Sequence, residues 1–293
     1  KYSPLGYIGV QTSMKVRLTC QLRFNDYMKR HPEVKEIKMK DPIFIIGFPR
    51  TGTTFLHELL GIHPDVRMHY SWEQFDPIPS TDDSSLVAHT ADRKKRYEQN
   101  KGAFNLFLAY AGDRIQSVHR IGYDESEECT TPCAMDLPWM VSNIAFITFA
   151  AQELADMGAG QAFQTYRNFL KLLQWQSEDR REMDFTWMLK CPFHLPYLTE
   201  LMTEFPDSTI VWTHRNPVDC IASACSLYET LLLFNMEPSS IDKEKLGKAV
   251  LDYTRVCLDK AFASIKKAGP KAKIVHIRYA DNVKDPKKNC SDI

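Results

Sequence analysis

Arginine, threonine and glycine, packed together in the run Phe48-Pro49-Arg50-Thr51-Gly52-Thr53-Thr54, are the residue types that grip an oxyanion. Arg50 supplies a planar fork of donors, Thr53 and Thr54 supply hydroxyls, and Gly52 lets the backbone close so that successive N–H groups point at one spot. A phosphate or a sulfate is the natural occupant. The run does not end in Gly-Lys-Ser/Thr, so it offers a phosphate cradle without the lysine that reaches a γ-phosphate in nucleotide triphosphatases. A second pattern of the same kind pairs Arg215 with Ser223, eight residues further on. An arginine just before a helix and a hydroxyl about two turns inside it can share one phosphate.

Particular elements must hold these side chains. Ile43 to Ile46 is a short apolar run that reads as a buried strand and breaks at Gly47 and Pro49, and Leu56, Leu59 and Leu60 then recur at helical spacing. Strand, tight loop and helix together aim the positive end of a helix macrodipole at the loop. Thr209 to Thr213 is another strand, after which Asn216 is a good N-cap, with Pro217 at the first helical position and Asp219 at the third. Further strands are expected at Val66 to Tyr70, delivering Ser71, Trp72 and Glu73, at Phe185 to Leu189, ending in Lys190, and at Lys273 to Ile277, ending near Tyr279. Helical patterns run over Leu195 to Phe205 and over Ile241 to Ala268, the latter stopped by Gly269-Pro270. Strands alternating with helices predict an α/β fold with a mainly parallel sheet of about five strands, flanked by helices, whose strand C-termini face the ligand.

Outside that frame, Tyr2 to Val34 is a polar arm followed by a helix on the outside of the sheet. Leu86 to about Arg180 reads as a helical insert capping the acceptor side, with apolar stripes Phe104-Leu106-Phe107-Tyr110 and Phe163-Tyr166-Phe169-Leu170-Leu173. No linker divides the 293 residues, so one domain over 1–293 is expected. The net charge is zero, and nothing in that balance favours nucleic acid as a partner. Eight cysteines without metal-ligand spacing read as small buried apolar residues. Trp139 to Ala151, the most apolar segment, is too short to span a bilayer. A cytoplasmic protein is therefore expected, with the Golgi lumen as the alternative if a segment preceding Lys1 carries an anchor.

The Asp41–Gly61 stretch, DPIFIIGFPRTGTTFLHELLG, resembles the 5′-phosphosulfate loop of the sulfotransferases. Arg215-x7-Ser223 resembles their 3′-phosphate site, Tyr279 in HIRYADNVKDP resembles their segment near the adenine with Ala280 in place of an acidic residue, and LKCPFHLP (Leu189 to Pro196) resembles their strand-end lysine segment. The likeness runs from about residue 41 to 286 and lies nearest the arginine-loop branch that includes bacterial-type and tyrosylprotein enzymes. It implies a P-loop-like fold and sulfuryl transfer from 3′-phosphoadenosine 5′-phosphosulfate (PAPS) to a hydroxyl on a small molecule or glycan, with no metal. By the resemblance, Arg50, Thr51, Gly52, Thr53 and Thr54 hold the 5′-phosphosulfate, Phe55 and Tyr279 flank the adenine, Arg215 and Ser223 hold the 3′-phosphate, and Lys190 neutralises the bridging oxygen.

Two residues compete for the acceptor's proton, Glu73 and His194, and Glu73 is favoured because the arginine loop and the Trp-Glu context fit that branch. His119 and the acidic run Asp124 to Glu128 are within reach of the same pocket, although a solvated helix start is the plainer reading of the run. The family's basic Gly-containing 3′-phosphate loop is not found before Ile293, which suggests a truncated C-terminus. A P-loop small-molecule kinase is the alternative within enzymes, and a nucleotide-binding protein with reduced catalysis the alternative outside them.

Overall fold

The structure, a computed structural model, describes residues 1–133, 156, 158–177, 184–291 and 293, with the side chains of 110–114 outside the description. Five strands form one sheet: β1 (Ile43–Gly47), β2 (Val66–Arg67), β3 (Thr186–Lys190), β4 (Thr209–His214) and β5 (Lys273–Arg278). Their order is β2-β3-β1-β4-β5 and every pairing is parallel, as the alternation of strands and helices predicts. The register sets Ile43 opposite both Met188 and Thr209, so the carboxyl ends of β1, β3 and β4 open on one rim. The chain leaves β1 for the β3 side and later crosses to β4, and such a reversal opens a crevice beyond the end of β1.

Continuous apolar runs suit strands covered on both faces. Phe44, Ile46, Trp187, Leu189, Ile210 and Trp212 face the larger core, while the intervening Ile45, Met188 and Val211 face a smaller one with Leu56 and Ile277. The helices that matter here are α1 (Pro4–Arg30), α2 (Thr53–Leu60), α3 (Ser71–Phe75), α4 (Leu86–Val118), α5 (Gly160–Trp175), α6 (Pro217–Leu232) and α7 (Lys243–Ala268). Several of them begin at a side-chain cap. Ser3 accepts from the Gly6 amide ahead of α1, Asn216 from Val218 ahead of α6, and Asp242 from Glu244 and Lys245 ahead of α7. Gly269, at φ 59°, ends α7.

Three expectations shift. The strand at Val66 stops at Arg67, because the backbone of Tyr70 and Ser71 turns into the single-turn α3. Leu195 to Phe205 is divided into a 3₁₀ turn at Pro192–Tyr197 and a helix at Leu198–Glu204, as befits a proline, Pro196, that has no N–H to give. In α4, Phe104 is buried but Leu106 and Phe107 are exposed, whereas the stripe Phe163, Tyr166, Phe169, Leu170 and Leu173 on α5 is buried throughout. The apolar segment Trp139 to Ala151 and Arg180, where the expected insert ends, lie outside the described residues.

Candidate active site

Between β1 and α2 the backbone takes two left-handed turns, Arg50 at φ 75° and Gly52 at φ 84°. A side chain on Gly52 would meet the Tyr279 ring at 2.6 Å, so the ring lies directly on the loop. Thr51 turns inward, its Oγ1 donating to the Phe48 carbonyl at 2.7 Å and meeting Thr213 Oγ1 at 2.7 Å, which pins the loop to β4. Gly52 caps α2 without a side-chain hydrogen bond, and Thr53 and Thr54 open the helix, leaving its first-turn amides to face the rim. Thr53 is buried, and Phe55 is 45 % exposed.

The second cradle abuts the first. Arg50 Nε donates to Ser223 Oγ at 2.9 Å, and its Nη1 to the Val118 carbonyl at 2.6 Å. Arg215 Nη1 donates to the Arg50 carbonyl at 3.1 Å, and its guanidinium stands 4.6 Å over the Tyr279 ring. Arg50, Gly52, Arg215, Ser223 and Tyr279, drawn from three separate stretches of sequence, are thereby brought together at one rim of the sheet. Two guanidiniums at a helix N-terminus give that rim the positive charge and the donors that an anion would need.

A profile described as the sulfotransferase family matches residues 42–293, which takes in every strand and both arginine cradles. The chain belongs to the sulfotransferase family. Two solved sulfotransferase structures share its fold: STF1 from Mycobacterium tuberculosis H37Rv, at TM-score 0.78 and 24 % identity over 99 % of this chain and 76 % of that one, and STF9 from Mycobacterium avium, at 0.81 and 23 % over 99 % and 72 %. No curated protein sequence matches it significantly.

In this sulfotransferase the remaining named residues are held by other contacts. Glu73 is 1 % exposed and both its oxygens are engaged: Oε1 accepts from Arg67 at 3.0 Å and Arg93 at 2.9 Å, and Oε2 from the Tyr70 amide at 3.1 Å. His194 is fully buried among the rings of Phe44, Phe163 and Tyr166, and burial pushes its pKa down to about 3. Lys190, at the end of β3, is buried with its Nζ donating to Glu128 Oε1 at 2.9 Å. Burial opposes its charge, but the Glu128 and Glu127 carboxylates outweigh that and hold the proton more firmly than in an ordinary lysine.

The acidic run departs from its plainer reading. Asp124 to Glu128 is not the start of a helix, and Glu127 and Glu128 are half-buried at the rim, with His119 Nε2 3.3 Å from Glu127 Oε1. No periodicity marks this segment in the sequence. The available signal was the coincidence of His119, two adjacent acids and a strand-end lysine. Among the described residues no helix is long and apolar enough to cross a membrane.

Proposed function

We propose that this protein transfers the sulfuryl group of PAPS to a hydroxyl on a small-molecule or glycan acceptor. The observation that carries the reading is the junction of the two cradles, where Arg215 donates to the Arg50 carbonyl and Arg50 to Ser223. A nucleotide with phosphates at both its 3′ and 5′ positions is a ligand such a junction suits, since each cradle offers a guanidinium and a hydroxyl.

In this reading Arg50, the α2 amides, Thr53 and Thr54 take the 5′-phosphosulfate, with Thr51 and Gly52 shaping the loop. Arg215 and Ser223 take the 3′-phosphate. Tyr279 and the exposed Phe55 offer aromatic faces for the adenine. Sulfuryl transfer is a displacement at sulfur with the attacking and leaving oxygens in line, so the protein's work is alignment and stabilisation of charge on the departing phosphate. Arg50 and the cationic Lys190 are the groups that supply it.

Titration calorimetry tests the donor assignment. 3′,5′-Bisphosphoadenosine should bind about a hundredfold more tightly than AMP, the worth of a pair of charge-assisted hydrogen bonds. Arg215→Ala should remove most of that preference. Equal affinities in the wild type would reject the 3′-phosphate site, and Mg²⁺-dependent phosphoryl transfer from ATP would favour a kinase instead.

A further inference from the structure

Beside the donor cradle lies a second pair of titratable side chains, His119 and Glu127, to which the donor reading gives no role. α4 ends at Val118, whose carbonyl receives Arg50, and the backbone becomes extended at His119. Residues 119–129 then return across the rim, held by backbone bonds from Ser71 to Glu125, from Glu127 to His69 and from Cys129 to Lys190. The return brings Glu127 back to His119, with Nε2 3.3 Å from Oε1 and 3.4 Å from Oε2, and sets Glu128 on Lys190.

The chemistry of this pairing assigns the tautomer. A carboxylate only accepts, so Nε2 of His119 carries its hydrogen toward Glu127 and Nδ1 is left with a lone pair. Nδ1 has no hydrogen-bond partner among the described residues, and the side chain is 27 % exposed, so the ring is not sealed from solvent. A positioned imidazole, a carboxylate behind it and an open nitrogen beside an anion cradle are what proton removal from a hydroxyl requires. Glu73 and His194 lack that access, the first with both oxygens occupied and the second sealed in the aromatic core.

We propose that His119 is the general base of the reaction, its Nδ1 taking the acceptor hydroxyl's proton while Glu127 acts as the positioning residue. The proposal rests on the sulfuryl-transfer reading above. As the acceptor oxygen bonds to sulfur, the bond from sulfur to the 5′-phosphate oxygen breaks and its electron pair stays on the phosphate. The proton passes to Nδ1 and from there to solvent, leaving a sulfate ester and 3′,5′-bisphosphoadenosine. Charged groups around the imidazole favour this role. Burial lowers its proton affinity, but the hydrogen bond and charge of Glu127, with Glu128 beyond it, outweigh burial and the opposing Lys190, so its pKa is raised from the ordinary 6.5. The neighbouring Arg120 is neutralised by Glu125.

The test uses the whole chain with PAPS and a panel of hydroxyl probes: 4-nitrophenol, dodecanol, N-acetylglucosamine and a tyrosine peptide. His119→Gln and His119→Asn should each slow turnover on the accepted probe by about a hundred- to ten-thousand-fold, with 3′,5′-bisphosphoadenosine affinity within about twofold of wild type. Glu127→Gln should move the acidic limb of the kcat/KM profile to lower pH, because the imidazole loses the charge that raises its pKa, a shift that a merely structural role would not produce. Retention of more than about a fifth of turnover in a folded His119 variant overturns the proposal. So does an acidic limb that stays in place in Glu127→Gln. Failure of the wild type to bind 3′,5′-bisphosphoadenosine would instead overturn the donor reading on which the proposal stands.

Discussion

A buried carboxylate whose oxygens are both held by neighbouring donors is closed to a substrate, and Glu73 shows how residue type and neighbourhood can part company. Its place after the Val66 strand sets it near the rim, but Arg67 and Arg93 converge on one oxygen and the Tyr70 amide on the other. Removing such a carboxylate strands two guanidiniums, which costs far more than the pair contributes relative to an apolar substitute. Glu73→Ala should therefore lower stability by about 3 kcal/mol, the lower end of the range for broken buried pairs, since Arg67 and Arg93 side chains keep 13 % and 21 % exposure. Chemical denaturation measures the loss. Affinity for 3′,5′-bisphosphoadenosine in the folded variant should stay near wild type, and a large fall there would show that Glu73 supports the donor site.

At the scale of elements, the loop between β1 and α2 was legible because its chemistry is local. Gly52 announces a left-handed turn, the threonines a helix start and Ile43 to Ile46 a buried strand, all within a dozen or so residues. The start of α6 was legible for the same reason, with Asn216 and Pro217 adjacent. The His119–Glu127 pair was not, because it depends on an aperiodic segment folding back on β3 and on the end of α4, and neither hydrophobic pattern nor capping residues encode that return. Leu106 and Phe107 misled for a related reason: helical spacing fixes a face of α4, while the packing partner decides whether that face is covered. The loop also carries its own prediction. Gly52→Ala would hold alanine at φ 84° and drive its methyl into the Tyr279 ring. About 1–2 kcal/mol of destabilisation should follow from the left-handed backbone alone. Because the ring must move off the loop, 3′,5′-bisphosphoadenosine should bind more weakly as well. Unchanged affinity by calorimetry would show that the Tyr279 position is immaterial to the donor.

Covering both faces of a parallel sheet buries groups that water would otherwise ionise, and for the molecule as a whole this sets a response to pH. His57, His69 and His194 are all buried, and burial, aided at His57 and His69 by nearby cations, pushes the pKa of each down to about 3. In the unfolded chain each returns to about 6.5, so below that pH the unfolded state binds protons that the folded state refuses. Their stabilisation is complete above about pH 6.5 and is lost as pH falls toward 3, at up to about 1.4 kcal/mol per pH unit for each imidazole. His119, with its pKa raised, works in the opposite direction: its contribution is present below about pH 6.5 and fades as pH rises through the raised value, so it leaves the slope below pH 6.5 unchanged. Against a total stability of roughly 5–15 kcal/mol, two or three units of acidification should remove a large part of it. The midpoint of thermal unfolding should fall steeply between pH 6.5 and 4.5. His194→Phe isolates the cause, because phenylalanine keeps the edge contacts with Phe44 and Phe163 while removing one titrating group. Stability of that variant should depend on pH less steeply than that of the wild type over this window. An unaltered slope would mean that the imidazole at position 194 takes up its proton without unfolding the protein, contrary to its burial in the aromatic core.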